Sequence, residues 1–187
     1  MSNFKKYQKD IIKFIKEIDL KKLNILEEKI RVCWKNKKNI FICGNGGSFA
    51  NALHIANDLF YPITKKEGMG IKISTLGANS SVTTCLSNDE GYENIFSYEL
   101  AIRGSEKDLL IVLSGSGNSK NIIKVLNKSE QINMKSFGLL GYDGGEAIKI
   151  VDDFIHFKSY NMQICEDLQM ISMNMIVQNL LDNPEIK

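Results

Sequence analysis

The feature that most constrains this chain is an alternation that sets in after residue 36. Short apolar runs at 39–43, 71–76, 109–113, 136–140 and 154–157 are each bounded by Gly, Asn, Ser or charge. Runs of that length are too short for buried helices and read as strands. Helical patterns fill the gaps at 49–60, 80–87, 92–102, 121–131 and 162–181. Strands alternating with helices over short loops demand a parallel sheet covered on both faces. Ahead of this core, Phe4, Ile11, Phe14, Ile15 and Ile18, then Leu20, Leu23, Leu26, Ile30 and Trp34, recur at helical spacing. The expectation is one α/β domain over 1–187, with a helical pair as lead-in (1–36) and a core over 37–182.

Two strand ends carry unusual chemistry. The first run leads into Cys43-Gly44-Asn45-Gly46-Gly47-Ser48 and then a helix. Open α/β sheets bind ligands at the carboxyl ends of their strands. Glycines let backbone approach an anion, and a helix N-terminus offers free N–H groups and a positive dipole. A P-loop is excluded, because no lysine ends the turn. A dinucleotide fingerprint is excluded too: its third small residue is Phe49 here, and the next strand supplies no acid. The alternative is a purely structural turn.

The third run ends in Leu113-Ser114-Gly115-Ser116-Gly117-Asn118-Ser119. Asn118 or Ser119 suits a helix N-cap. A cap alone leaves Ser114 and Ser116 unexplained, whereas serines interleaved with glycines make a neutral cradle for phosphate.

Gly44-Asn45-Gly46-Gly47-Ser48 with His54, then Asn88-Asp89 with Gly91-Tyr92, then Ser114 to Ser119, resembles the phosphoheptose isomerases of the sugar isomerase (SIS) family from about residue 36 to 180. The resemblance implies a five-stranded parallel sheet in a flavodoxin-like three-layer sandwich, and a homotetramer with active sites at subunit interfaces. It implies an enzyme converting sedoheptulose 7-phosphate to D-glycero-D-manno-heptose 7-phosphate for surface polysaccharide (lipopolysaccharide or capsule). By the match, Ser48, Ser114, Ser116 and Ser119 hold the phosphate with Gly46, Gly47 and Gly115, while Asn45 and Asp89 contact the sugar.

The chain departs from the family where the proton moves. Isomerisation through an enediol needs a base and a group that polarises the carbonyl. The family pattern has a His and a Glu one turn apart after the glycine turn, and a Gln with a His eight residues on in the last helix, a set resembling a divalent metal site, commonly zinc. Here those positions read His54 and Asp58, then Glu166 and Asn174. The expectation is a harder ligand set of His54, Asp58, Glu166 and Asn174 for a divalent metal such as zinc. His54, Asp58 and Glu166 are the catalytic candidates, with Glu166 able to take over as base. His156 lies in an apolar run and reads as a strand residue, not a replacement. Where the family commonly has an arginine, this chain has Tyr61-Pro62.

Charge narrows the classes further. With 24 basic and 22 acidic residues the chain has no electrostatic footprint for nucleic acid or membrane. The lysines near its start fall at helical spacing on a solvated face. No apolar run approaches a membrane span and none reads as a signal peptide. Cys33, Cys43, Cys85 and Cys165 show no metal spacing; Cys43 and Cys85 sit in apolar stretches as small hydrophobes. The expected setting is the cytoplasm. The rival reading is a non-catalytic sugar-phosphate-binding adaptor, resembling the relative that associates with the replication initiator. An isomerase for another sugar phosphate, such as arabinose 5-phosphate, is a further alternative.

Overall fold

A computed structural model describes residues 3–68 and 70–184. The first two and last three residues of the expected domain lie outside the described residues. Helices α1 (Asn3–Lys16) and α2 (Leu20–Lys35) lead into β1 (Asn39–Cys43), α3 (Gly47–Glu67), β2 (Lys72–Thr75), α4 (Ser80–Asp89) and α5 (Ile95–Arg103). Then follow β3 (Leu109–Ser114), α6 (Lys120–Gln131), β4 (Lys135–Leu140), β5 (Asp153–His156) and α7 (Met162–Asp182). All five strands pair in parallel in the order β2-β1-β3-β4-β5. This is the expected flavodoxin-like order, with its switch point between β1 and β3.

Side chains alternate across the sheet. Ile40 and Ile42 of β1 join a core with α2, α3 and α7, while Phe41 and Cys43 join the opposite core with α5 and α6. β3 is buried along its whole length, as a central strand covered on both faces must be. α1 lies outside the first layer, with Tyr7, Ile11, Phe14 and Ile15 packed on that core.

Two helices differ from expectation. α3 was expected to stop at Phe60, yet it continues through Pro62 to Glu67. Proline there deprives the Asp58 carbonyl of its helical donor. Burial of Leu59 and Ile63 on either side holds the helix together. The expected helix over 92–102 begins as a 3-10 turn at Tyr92–Asn94, because Gly91 turns the chain at φ +89°. Cys85 also departs from its reading: it is exposed, its thiol 3.5 Å from Asp89 Oδ2.

α3 and α7 run side by side in the same direction. Asn51 Nδ2 donates to Gln169 Oε1 and to the Glu166 carbonyl, at 3.1 and 3.0 Å. About four turns later, Lys66 donates to the Leu181 carbonyl. This parallel packing brings the start of α7 against the start of α3. No helix among the described residues is long and apolar enough to cross a membrane.

Candidate active site

A cavity of about 280 Å³ opens at the switch point. Both expected loops line it: Asn45, Gly46, Gly47 and Ser48 from the end of β1, and Ser114, Gly115, Ser116 and Ser119 from the end of β3. Met162 and Glu166 of α7 close the third side. α3 and α6 therefore both point their N-termini at one space. Neither start carries a side-chain cap, whereas Asp19, Asn79 and Asn161 cap α2, α4 and α7. Two uncapped helix starts meeting at a cavity leave N–H groups and positive dipole ends for an anion.

The serine hydroxyls are prepared to donate. Ser48 Oγ accepts from Gln169 Nε2 at 3.3 Å, Ser114 Oγ from the Gly117 N–H at 3.0 Å, and Ser116 Oγ from the Asn118 N–H at 3.3 Å. Each hydroxyl has one lone pair engaged from behind, and its proton has no acceptor among the described residues. Gly117 turns the loop at φ +67°, and a Cβ there would run into the Gly144 carbonyl, so only glycine fits. The Asn118 side chain braces the loop, accepting from the Glu146 N–H at 3.0 Å.

Glu166 is the one carboxylate lining this ring of donors. It fits because residue 47 is glycine: a Cβ on Gly47 would stand 2.5 Å from Glu166 Cδ. No lysine or arginine lines the cavity among the described residues, so neutral donors and helix ends supply the chain's affinity for an anion there.

Several residues of this site were not anticipated from sequence. Gln169, fully buried, sets Ser48 and is itself set by Asn51. Asn121, in the first turn of α6, pairs with Asn45. A polar residue on the buried side of a helix was the available signal for both. Asp89, expected at the sugar, does not line the cavity; its carboxylate faces Asn88 and Cys85. His156 behaves as read, ending β5 with Nε2 2.9 Å from the Tyr142 carbonyl.

The expected metal set is not gathered within the chain. His54 and Asp58 pair with each other at 3.1 Å on the outer face of α3, the histidine side chain 60% exposed. Glu166 is turned the other way, into the cavity. Asn174 lines a separate surface depression with Ile171, Met175 and Gln178, and no hydrogen bond joins it to the pair. Among the described residues no three His, Cys, Asp or Glu side chains form a metal-binding group. One histidine and one carboxylate already paired do not make a site for zinc, which takes three or four protein ligands. Helical spacing places Asp58 beside His54 and says nothing of which way α7 turns Glu166.

Comparison with known proteins agrees with the fold. The family model described as the SIS domain matches residues 3–141. Phosphoheptose isomerase of Helicobacter pylori strain P12 is 38% identical over 120 residues, 63% of this chain and 61% of that protein. Against this relative, the chain thus matches less than two thirds of its length. Phosphoheptose isomerase 1 of Campylobacter jejuni is 34% identical over 148 residues, 78% of each chain. The structure of a phosphoheptose isomerase from Francisella tularensis superposes with a TM-score of 0.90 at 22% identity, covering 98% of this chain and all of that one. That from Neisseria gonorrhoeae gives 0.87 at 24% identity over 96% of each. These two likenesses show the fold. Together with the family model and the Campylobacter match, they make this chain a member of the SIS-domain family, on its phosphoheptose isomerase branch.

Proposed function

We propose that the chain is a sugar-phosphate isomerase that converts sedoheptulose 7-phosphate to D-glycero-D-manno-heptose 7-phosphate by proton transfer through an enediol. The observation that carries this reading is the cavity's polarity. Ser48, Ser114 and Ser116 are set to donate around two open helix ends, and a single carboxylate, Glu166, stands among them. Donors hold a phosphate, and a lone carboxylate beside it is placed to take a proton from the sugar carbon next to the carbonyl. The names of the curated relatives supply the heptose.

Assembly has its own support. Leu53, Phe60 and Tyr61 of α3 and Met175 of α7 are exposed, and the His54–Asp58 pair lies among the same outward positions of α3. Exposed apolar side chains in such a group favour contact with another protein surface. A second copy covering it, within a homotetramer, brings His54 and Asp58 to a neighbour's cavity, where they act with that copy's Glu166. The setting is a soluble compartment, the cytoplasm, and the product feeds surface-polysaccharide synthesis.

A rival reading, sugar-phosphate binding without turnover, draws on one observation: His54, Asp58 and Glu166 do not meet within the chain. Conversion of sedoheptulose 7-phosphate by the purified protein separates the two, with arabinose 5-phosphate as the control sugar. The isomerase reading expects turnover of the heptulose phosphate, assayed with chelator and with added metal. Dependence on zinc or manganese would show that assembly gathers the donors that the fold leaves apart. Binding with no turnover under any metal would favour the rival.

A further inference from the structure

Asn45 and Asn121 form a closed pair of amides. Each Nδ2 donates to the other's Oδ1 at 2.8 Å. Tyr92 donates its hydroxyl to Asn45 Oδ1 as well, at 2.9 Å. A carbonyl oxygen has two lone pairs, and both are now engaged; an amide nitrogen has two N–H groups, and one is engaged. Asn45, which lines the cavity, is left with a single side-chain N–H to offer. Asn121 is only 2% exposed, so its amide is buried and its own pairing with Asn45 is what offsets the loss of water.

An asparagine free to turn over can present either oxygen or nitrogen, and so accepts a hydroxyl in either role. Held from behind, it can only donate. We infer that Asn121 is a positioning residue that holds Asn45 as an obligate donor to a ligand oxygen, on the phosphate or on the sugar. The inference rests on the reading of this cavity as a sugar-phosphate site. It assigns selectivity to a residue that the ligand does not touch. Ligands with an oxygen acceptor at this point are favoured, because any other group would leave the remaining N–H without a partner.

The test is a double-mutant cycle read by calorimetry, with sedoheptulose 7-phosphate and inorganic phosphate as the probes. Asn121→Asp keeps the shape of residue 121 but sets an acceptor against Asn45 Oδ1 in place of the donor, so the Asn45 amide is no longer held in one orientation. Asn121→Ala removes the donor without burying a charge and keeps the cycle readable if the aspartate variant fails to fold. Either change is expected to weaken sedoheptulose 7-phosphate binding by about tenfold, the scale of one hydrogen bond lost and its partner left unpaired. In an Asn45→Ala background the same change should cost less than about twofold, since nothing is left to position. A parallel loss for inorganic phosphate identifies the phosphate as the acceptor; a loss confined to the sugar phosphate identifies an oxygen of the sugar. Equal losses in both backgrounds overturn the inference while leaving the site intact. A wild-type protein that binds neither probe overturns the reading of the cavity itself, and this inference with it.

Discussion

Glu166 and Gly47 occupy one place from two helices: the carboxylate of α7 lies where a side chain at the first residue of α3 would begin. The position of the only acid lining the cavity is therefore set by the absence of a Cβ across from it. Gly47→Ala tests this. A flexible side chain can swing aside, so the change in stability should stay within about 1 kcal/mol, helped by the better helix propensity of alanine. Turnover should fall by about tenfold or more, because a displacement of an ångström at a reacting group is enough to do so. Thermal unfolding and steady-state kinetics on one preparation check both halves.

The loops were legible in the sequence because their chemistry is local. Gly44 to Ser48 and Ser114 to Ser119 each follow a short apolar run, and parallel topology alone brings two such strand ends to one edge. Glu166 was picked out by the family resemblance, and the structure puts it in the cavity. Its grouping with His54, Asp58 and Asn174 was not legible, because helical periodicity tells which residues share a face of one helix but not how two helices turn toward each other. Gln169, Asn121 and Asn51 act through partners 76 to 121 positions away, and no local pattern carries such pairings.

A mixing experiment addresses the division of labour between copies. His54→Ala and Glu166→Gln are each expected to lower turnover strongly. Subunits of the two variants, dissociated and reassembled together, should regain about a quarter of wild-type activity if each site takes His54 from one copy and Glu166 from another. Activity no higher than either parent would place both residues in the work of a single chain, or His54 outside it.

The edge strand β5 should respond to acid. Asp153 bridges Lys22 and Lys29 of α2, each at 3.1 Å. Burial works to raise its carboxyl, but the two lysines outweigh it and hold it below its ordinary value of 3.8. A carboxyl depressed in the folded state stabilises above its unfolded value and loses that contribution as pH falls through the lower folded one. Asp153→Asn should therefore cost about 1 kcal/mol at pH 7. The difference between variant and wild type should fade below about pH 4. Denaturant titrations at pH 7 and pH 3 would show it; an equal difference at both would contradict the assignment to the lysine bridge.

The most direct test of the account concerns the proton that Glu166 is proposed to move. Sedoheptulose 7-phosphate is incubated in deuterated water with wild-type protein and with Glu166→Gln, and deuterium in the product is followed by NMR. The account predicts solvent deuterium beside the carbonyl with the wild type. For the variant it predicts binding within about threefold of wild type and turnover lower by about a hundredfold or more, the usual worth of a positioned base. Glutamine keeps the size of glutamate and removes its charge, so the substitution is mild for the fold. A variant that exchanges and isomerises at the wild-type rate would contradict the account and place the base elsewhere.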